Sequence, residues 1–490
     1  MASEEKFEVM IGLEVHIQLT SLKTKMFCGC SSDYRGKPPN TYTCPVCLAL
    51  PGTLPVLNKK AVDYAIRLAL AVNSKVNEST FFFRKNYYYP DMAKNFQISQ
   101  YDKAGGIPIA SGGQVMFAIG NEKRTINLTR LHMEEDPGRL TYEGSITTSP
   151  YTLVDYNRHG STLIECVTEP ELRSPEEARA FLKKLRSIIE HLEIGNMGLD
   201  GAMRCDANIS YKGHSRVEVK NISSAKEVER ALKFEMMRQK QKINAGVEII
   251  QETRHWDDVR RVTMSLRTKE TEMDYRYFPE PDLVPISLSK EMLAKAGEDL
   301  PELPDARRQR FIEQYEIPAY DAEVLVSSKS MADFFEKAIE LHDDPKNISN
   351  WLMGDVSRRL NEDNLEISET QLIPENLVEM LKMIDSGQIS GKIGKKLIKE
   401  MLKGEKPSIL VKKKDVKQIS DISFLNKIID EVFAENQKVV EEVVEGTNPR
   451  AIEYLIGQVM KKTRGQADPE ITRKLIRERI DKIKRDKEIS

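Results

Sequence analysis

Across the segment Asp274-Tyr275-Arg276-Tyr277-Phe278-Pro279-Glu280-Pro281-Asp282 the hydrophobic pattern of the chain changes period, and any fold must accommodate both halves. The two prolines fix φ and remove backbone donors, so the segment is rigid. Upstream, residues 7–19 place Phe7, Val9, Ile11, Leu13, Val15, Ile17 and Leu19 at every odd position, the signature of a strand. Further strand-like runs cover 114–117, 124–133, 204–210 and 216–219. A helix interrupts them where Ser174-Pro175-Glu176-Glu177 forms a capping box with proline at the first helical position. Ala178, Phe181, Leu182, Leu185, Ile188, Ile189 and Leu192 then follow at helical spacing, and a second helix is expected from Ser224 to about Ile243. Downstream, nearly every periodic stretch is helical: 332–341, 348–360, 375–384 and 391–402, then 424–433, 437–442, 451–462 and 469–483 beyond Pro407. At 490 residues two to four domains are expected. The predicted class is α+β: a sheet-rich domain over 1–294, followed by two all-helical domains over 295–407 and 408–490.

With 40% hydrophobic and 31% charged residues the chain can bury sizeable cores. Its formal charge of -2 means that any nucleic-acid contact must come from local patches. No apolar run reaches 18 residues and the start, Met-Ala-Ser-Glu-Glu-Lys, is acidic, so no membrane segment is expected and a cytoplasmic location is the default. Four of the six cysteines, Cys28, Cys30, Cys44 and Cys47, fall within twenty positions. In such a compartment clustering of this kind points to metal rather than disulfides. The quartet suits tetrahedral zinc in a structural site with every position filled by thiolate; the alternative is reduced, unliganded thiols.

Strand geometry sends residues i and i+2 to one face, pairing Glu14 with His16, Asp206 with Asn208, and Glu218 with Lys220. Glu134-Glu135-Asp136 gathers three acids at the end of a strand. Alone it reads as a solvated turn, but beside the other polar pairs it points to one cation-binding concavity, with oxygen ligands suited to Mg²⁺. Arg84 and Lys85, followed by three tyrosines, could grip phosphate or pack as an aromatic core edge. Gly387-Gln388-Ile389-Ser390-Gly391-Lys392-Ile393 is one residue short of a Walker loop, so ATP, if used, is not held by a P-loop. No amidase signature is present.

In order along the chain, Ile11-Gly12-Leu13-Glu14-Val15-His16, Cys44-Pro45-Val46-Cys47, Arg84-Lys85-Asn86-Tyr87, His132-Met133-Glu134-Glu135-Asp136, Arg204-Cys205-Asp206-Ala207-Asn208 and the 274–282 segment resemble the family of the B subunit of the glutamyl/aspartyl-tRNA amidotransferase, over essentially the full length. The resemblance implies a cradle-shaped first domain with a kinase-type site, a helical middle domain and a tail that contacts tRNA. It implies metal ligands at Glu14, His16, Glu134, Glu135, Asp206 and Glu218, with Glu14, His16, Glu135 and Asp206 catalytic. It also implies ATP-dependent activation of the side-chain carboxylate of Glu-tRNA(Gln) or Asp-tRNA(Asn), with Mg²⁺ screening the repulsion between anions. Ammonia would come from the amidase (A) subunit of the same enzyme, with the small third (C) subunit clamping the two larger ones. Arg84 and Lys85 would lie on the phosphate side. Lys461, Lys462, Arg464, Arg473, Lys474 and Arg477 would meet tRNA phosphates, a solvated basic face being the alternative. This chain departs from many relatives in carrying Ser161-Thr162 where they have proline.

Overall fold

A computed structural model describes residues 7–489 apart from 101–104, 121, 145–148, 269–271, 364, 415–421, 446–447, 449–450, 464–466 and 468. The chain forms two compact units, Met1–Arg307 and Arg308–Ser490.

The first unit is organised by a sheet. In chain order the strands of its main path are β1 (Val9–Gln18), β2 (Phe83–Asn86), β3 (Phe96–Ser99), β4 (Glu122–Glu135), β5 (Thr162–Thr168), β6 (Met203–Tyr211), β7 (Val217–Ile222), β8 (Glu252–Asp257), β9 (Val262–Thr268) and β10 (Phe278–Pro279). They lie side by side as β9-β8-β7-β6-β1-β5-β4-β3-β2-β10. Neighbours are antiparallel except β7 and β8. A parallel pair needs a crossover, and a helix over Ala225–Asn244 supplies it.

Alternation along β1 decides which face is core. Ile11, Leu13, Val15 and Ile17 are at most 1% exposed, and they share one apolar cluster with helix residues, most of them from the three longest helices of this unit. These are α1 (Lys59–Ala71), α2 (Pro175–His191) and α3 (Ala225–Asn244). From α2 come Phe181, Leu182, Leu185 and Ile189, and from α3 Val228, Ala231 and Leu232. Burying one such large side chain contributes about 1.5–3 kcal/mol. Helix α2 starts as its sequence predicts: Ser174 Oγ accepts from Glu177 N at 3.1 Å. The Glu177 carboxylate, however, accepts from Arg173 N at 2.8 Å rather than from the cap residue, so the reciprocal half of the box is displaced by one position. Helix α1 was not expected. Asn58 caps it by accepting from Lys60 N and Ala61 N, and Ala61, Val62, Ala65, Ile66, Leu68 and Ala69 form its buried face.

The second unit is helical and holds two apolar cores. One includes Phe311, Phe335, Leu352, Leu377, Leu381 and Leu397 and extends past Pro407 to Leu410 and Val411. The other joins α4 (Ile422–Glu435), α5 (Ala451–Lys462) and α6 (Pro469–Ile489) through Leu425, Ile429, Leu455, Val459 and Ile476. No described helix is long and apolar enough to cross a membrane.

Candidate active site

The polar faces of five adjacent strands, β7-β6-β1-β5-β4, meet in register. Glu14 lies opposite Asp206, Asn208 opposite Glu218, His16 opposite Glu165, and Glu165 opposite His132. Each strand therefore contributes to one row of titratable groups, because alternate residues share a face.

At one end of the row Glu14, Asp206 and Glu218 can place a carboxylate oxygen each within 4.8 Å of one another. Lys220 Nζ stands 2.9 Å from Asp206 and 3.2 Å from Glu218. Asn208 donates to Glu14 at 2.9 Å, and Thr253 Oγ1 donates to Glu218 at 3.0 Å. Burial, and then the charges of Glu165, Asp206 and Glu218, raise the Glu14 carboxyl above its ordinary range against the pull of Lys220. Burial also works against the Lys220 ammonium, but Asp206 and Glu218 outweigh it and hold the group well above the usual lysine value. One cation against three acids leaves a surplus of negative charge, and oxygen donors alone make this set fit a hard divalent ion. A cleft of about 330 Å³ opens beside Glu14, lined also by Asn208, Ser210, Thr129, Arg130 and Arg216.

Further along the row His16, Glu134 and Glu165 form a second set. His16 Nε2 is 3.6 Å from Glu134 and 3.5 Å from Glu165, while His132 Nε2 is 3.2 Å from Glu165 and 3.7 Å from Glu134. Burial disfavours both imidazolium ions, yet the carboxylates prevail, Glu165 foremost, and each ring is pushed up to about 9. In return, and against burial, the two histidines hold Glu134 below and Glu165 well below the ordinary carboxylate range. This set balances its own charge when both rings are protonated, so a metal would enter it with loss of a proton.

The expected residues divide accordingly. Glu14, Asp206 and Glu218 come together, as do His16 and Glu134. Glu14 and His16, expected to share a ligand, belong to neighbouring sets. Glu135 leaves the row: its position on β4 alternates with Glu134, and its fully buried carboxylate pairs with Lys94 Nζ at 2.5 Å and accepts from Ile98 N at 2.9 Å. Asp136 is likewise buried, against Arg204 at 2.7 Å. Arg84 is already engaged, bidentate on Glu280 at 2.8 Å for both contacts and 3.0 Å from Asp282, with its guanidinium 4.2 Å from the Phe96 ring centroid. It ties β10 to β2. Lys85, half-buried, stands 5.1 Å from the Tyr275 ring centroid. Glu165 and His132 are site residues that were not expected. The signal for Glu165 was its lone charge in the apolar run Thr162–Thr168, between Ile164 and Cys166, which face the core.

The four cysteines converge, with Sγ atoms of Cys28, Cys30, Cys44 and Cys47 within 4.8 Å of one another. A tetrahedral ion at ~2.3 Å from each sulfur fits that spread. A hydrogen bond from Cys28, opposed by burial and reinforced by Lys25, pulls the Cys47 thiol down to about 4. Burial, followed by a Cys44 hydrogen bond, pushes Cys30 up to about 12. Thiolate character is thus present within the quartet. Cys166 and Cys205 are buried in the apolar core instead.

In the tail, Lys462 is paired with Glu431 at 3.0 Å and Glu435 at 2.7 Å, and Arg473 with Glu453 at 2.6 Å. Lys461, Lys474 and Arg477 are exposed and have no ion pair among the described residues. Arg464 lies outside the described residues.

Two family models match the chain in order: the GatB/GatE catalytic domain over residues 9–294 and the GatB domain over residues 333–480. The B subunit of the aspartyl/glutamyl-tRNA(Asn/Gln) amidotransferase of Saccharolobus solfataricus is 50% identical over 474 residues, spanning 96% of this chain and 99% of the relative. The protein of the same name from Carboxydothermus hydrogenoformans is 46% identical over 486 residues, 98% of this chain and 100% of the relative. That from Methanosarcina barkeri is 47% identical over 496 residues, 97% and 99% respectively. With identity at this level from end to end, and a row of acids and histidines built where the matched catalytic domain lies, the chain belongs to the family of the B subunit of the aspartyl/glutamyl-tRNA(Asn/Gln) amidotransferases.

Proposed function

We propose that the first unit is the carboxylate-activating centre of a glutamine-dependent, tRNA-dependent amidotransferase. In this reading the side-chain carboxylate of glutamyl-tRNA(Gln) or aspartyl-tRNA(Asn) attacks the γ-phosphorus of ATP and ADP departs. Ammonia then attacks the acyl carbon, phosphate leaves, and the product is glutaminyl- or asparaginyl-tRNA. The observation that carries it is the row of Glu14, His16, Asp206, Glu218, Glu134 and Glu165 on five neighbouring strands. The names of the relatives support it.

A carboxylate and a triphosphate repel, so their approach needs positive charge and fixed dipoles. Magnesium held by Glu14, Asp206 and Glu218, with His16, Glu134 and Glu165 as a second set, would supply the charge that lets the two anions meet. Asn208 fixes the orientation of Glu14 by its hydrogen bond, and Lys220 keeps Asp206 and Glu218 together. Arg130 and Arg216, lining the cleft beside Glu14, offer donors to phosphate oxygens, and Lys85 is a further cation toward the β2 side. The four cysteines hold structural zinc. Ammonia is supplied by the partner amidase (A) subunit, with the small third (C) subunit completing the assembly. Lys461, Lys474 and Arg477 contact tRNA phosphates without reading sequence.

Asp206→Ala or Glu14→Gln in the assembled enzyme is expected to abolish ATP-dependent amide formation on misacylated tRNA while glutamine hydrolysis remains measurable. Undiminished amide formation in both variants would leave the chain as an RNA-binding scaffold. Glu135→Ala is the poorer test, because it strands the buried Lys94 ammonium.

A further inference from the structure

Lys25 is among the largest side chains wholly removed from solvent, at 0% exposure. Its ammonium donates to Tyr42 O at 2.9 Å and Tyr156 O at 3.3 Å and lies 3.8 Å from Cys47 Sγ. Carbonyl oxygens satisfy its donors but carry no net charge. Among the described residues no carboxylate lies within ion-pair distance of it. An uncompensated ammonium in such a place costs several kcal/mol. The nearest group able to carry a negative charge is Cys47 Sγ, one member of the quartet. A divalent ion held by four thiolates carries two net negative charges, and Lys25 is the cation placed against it.

We propose that Lys25 is the buried counter-charge of a zinc–thiolate centre at Cys28, Cys30, Cys44 and Cys47, and that it ties this centre to the 155–161 loop. The tie is double. The ammonium holds Tyr156 O, and the backbone on either side of Lys25 engages both partners: Lys25 N donates to Cys30 O at 2.9 Å and Met26 N donates to Gly160 O at 2.9 Å. The loop in turn closes over the end of β4. Gly160 N donates to Asp136 O at 2.9 Å, Asp136 N to Ser161 O at 2.8 Å, and Arg158 Nε to Pro137 O at 2.9 Å. Lys25 is thus a positioning residue. It sets the charge of the metal centre, and the loaded centre fixes the loop that holds Glu135 and Asp136 in place.

The inference rests on the quartet binding zinc, so metal analysis of the native assembled enzyme comes first; a native enzyme without zinc overturns both. Given about one zinc per chain, its release to excess 4-(2-pyridylazo)resorcinol is followed by absorbance in native enzyme, Lys25→Met and Lys25→Arg. Lys25→Met is expected to release zinc ~10-fold faster or more, the range for losing a partner that orients a ligand, and Lys25→Arg to stay near native. Equal rates in native enzyme and Lys25→Met overturn the proposal. To separate charge from packing, urea midpoints are compared in the four-cysteine background and with all four cysteines changed to serine. Lys25→Met is expected to lower the midpoint in the first and to leave it unchanged or raise it in the second, where the ammonium has lost its counter-charge. An equal drop in both backgrounds assigns Lys25 to packing alone and overturns the proposal.

Discussion

Glu165→Gln removes the charge that two buried imidazoles share while keeping the shape of the side chain. In the native arrangement His16 and His132 are each pushed up to about 9, against about 6.5 in an unfolded chain. Folding therefore favours the protonated rings, and their contribution to stability is complete below about pH 6.5 and fades as pH rises through 9. At ~1.4 kcal/mol per pH unit the difference amounts to roughly 3 kcal/mol for one ring. The pair contributes less than twice that, because both rings draw on the same two carboxylates. The Glu165 carboxyl, held well below its ordinary range by the same two rings, is the other side of this interaction: the stabilisation is present above about pH 4.5, is lost on further acidification, and lapses again as the rings deprotonate through 9. The magnesium-free protein is thus expected to become easier to unfold between pH 6.5 and 9.5. In Glu165→Gln the rings lose their main partner, so the variant should be several kcal/mol less stable than native at pH 6 and close to it at pH 9.5. Urea unfolding can be read through Trp256, which is 3% exposed in the first unit, in a Trp351→Phe background that removes the other tryptophan. A native protein whose midpoint is flat across this range, or a Glu165→Gln slope equal to the native one, would refute the reasoning.

Glu235 is fully buried and accepts from Arg238 at 2.6 Å, Gln239 at 2.8 Å and Thr263 at 2.9 Å; Glu235→Ala leaves Glu252 as the carboxylate shared by Arg238 at 3.3 Å and Arg254 at 2.8 Å and is expected to cost about 3 kcal/mol in urea unfolding, a loss under ~1 kcal/mol counting against it. Charge reversal at Lys461, Lys474 and Arg477 is expected to weaken tRNA binding and to lower its dependence on log salt by about two to three contacts. Reversal at Lys462 and Arg473, already paired with Glu431, Glu435 and Glu453, should do less. Filter-binding titrations at several salt concentrations rank the two sets, and the opposite ranking defeats this assignment.

What the sequence made legible was whatever depends on short-range period. The odd-numbered apolar face of β1 implied that Glu14 and His16 project away from the core, and the same rule assembled Asp206, Asn208 and Glu218. Applied consistently, it also separates Glu134 from Glu135, since neighbours on a strand cannot share a face; the run of three acids obscured this by inviting a reading by charge alone. Glu165 was hidden because its strand is nearly continuous in apolar residues and its partners, His16 and His132, come from two other strands. The fate of Arg84 was out of reach for a different reason. Its partner Glu280 lies nearly two hundred positions away, and no local pattern announces that a cation is already neutralised. The same holds for Lys462 against Glu431.

Glu14 and His16 stand two residues apart on a single strand, each anchoring one of the two ligand sets. At ~3.3 Å per residue the step between them is roughly 7 Å. Ladder hydrogen bonds to β5 and β6 on both sides hold that interval rigid. β1 is therefore a ruler: reactants that engage both sets must span its one fixed interval.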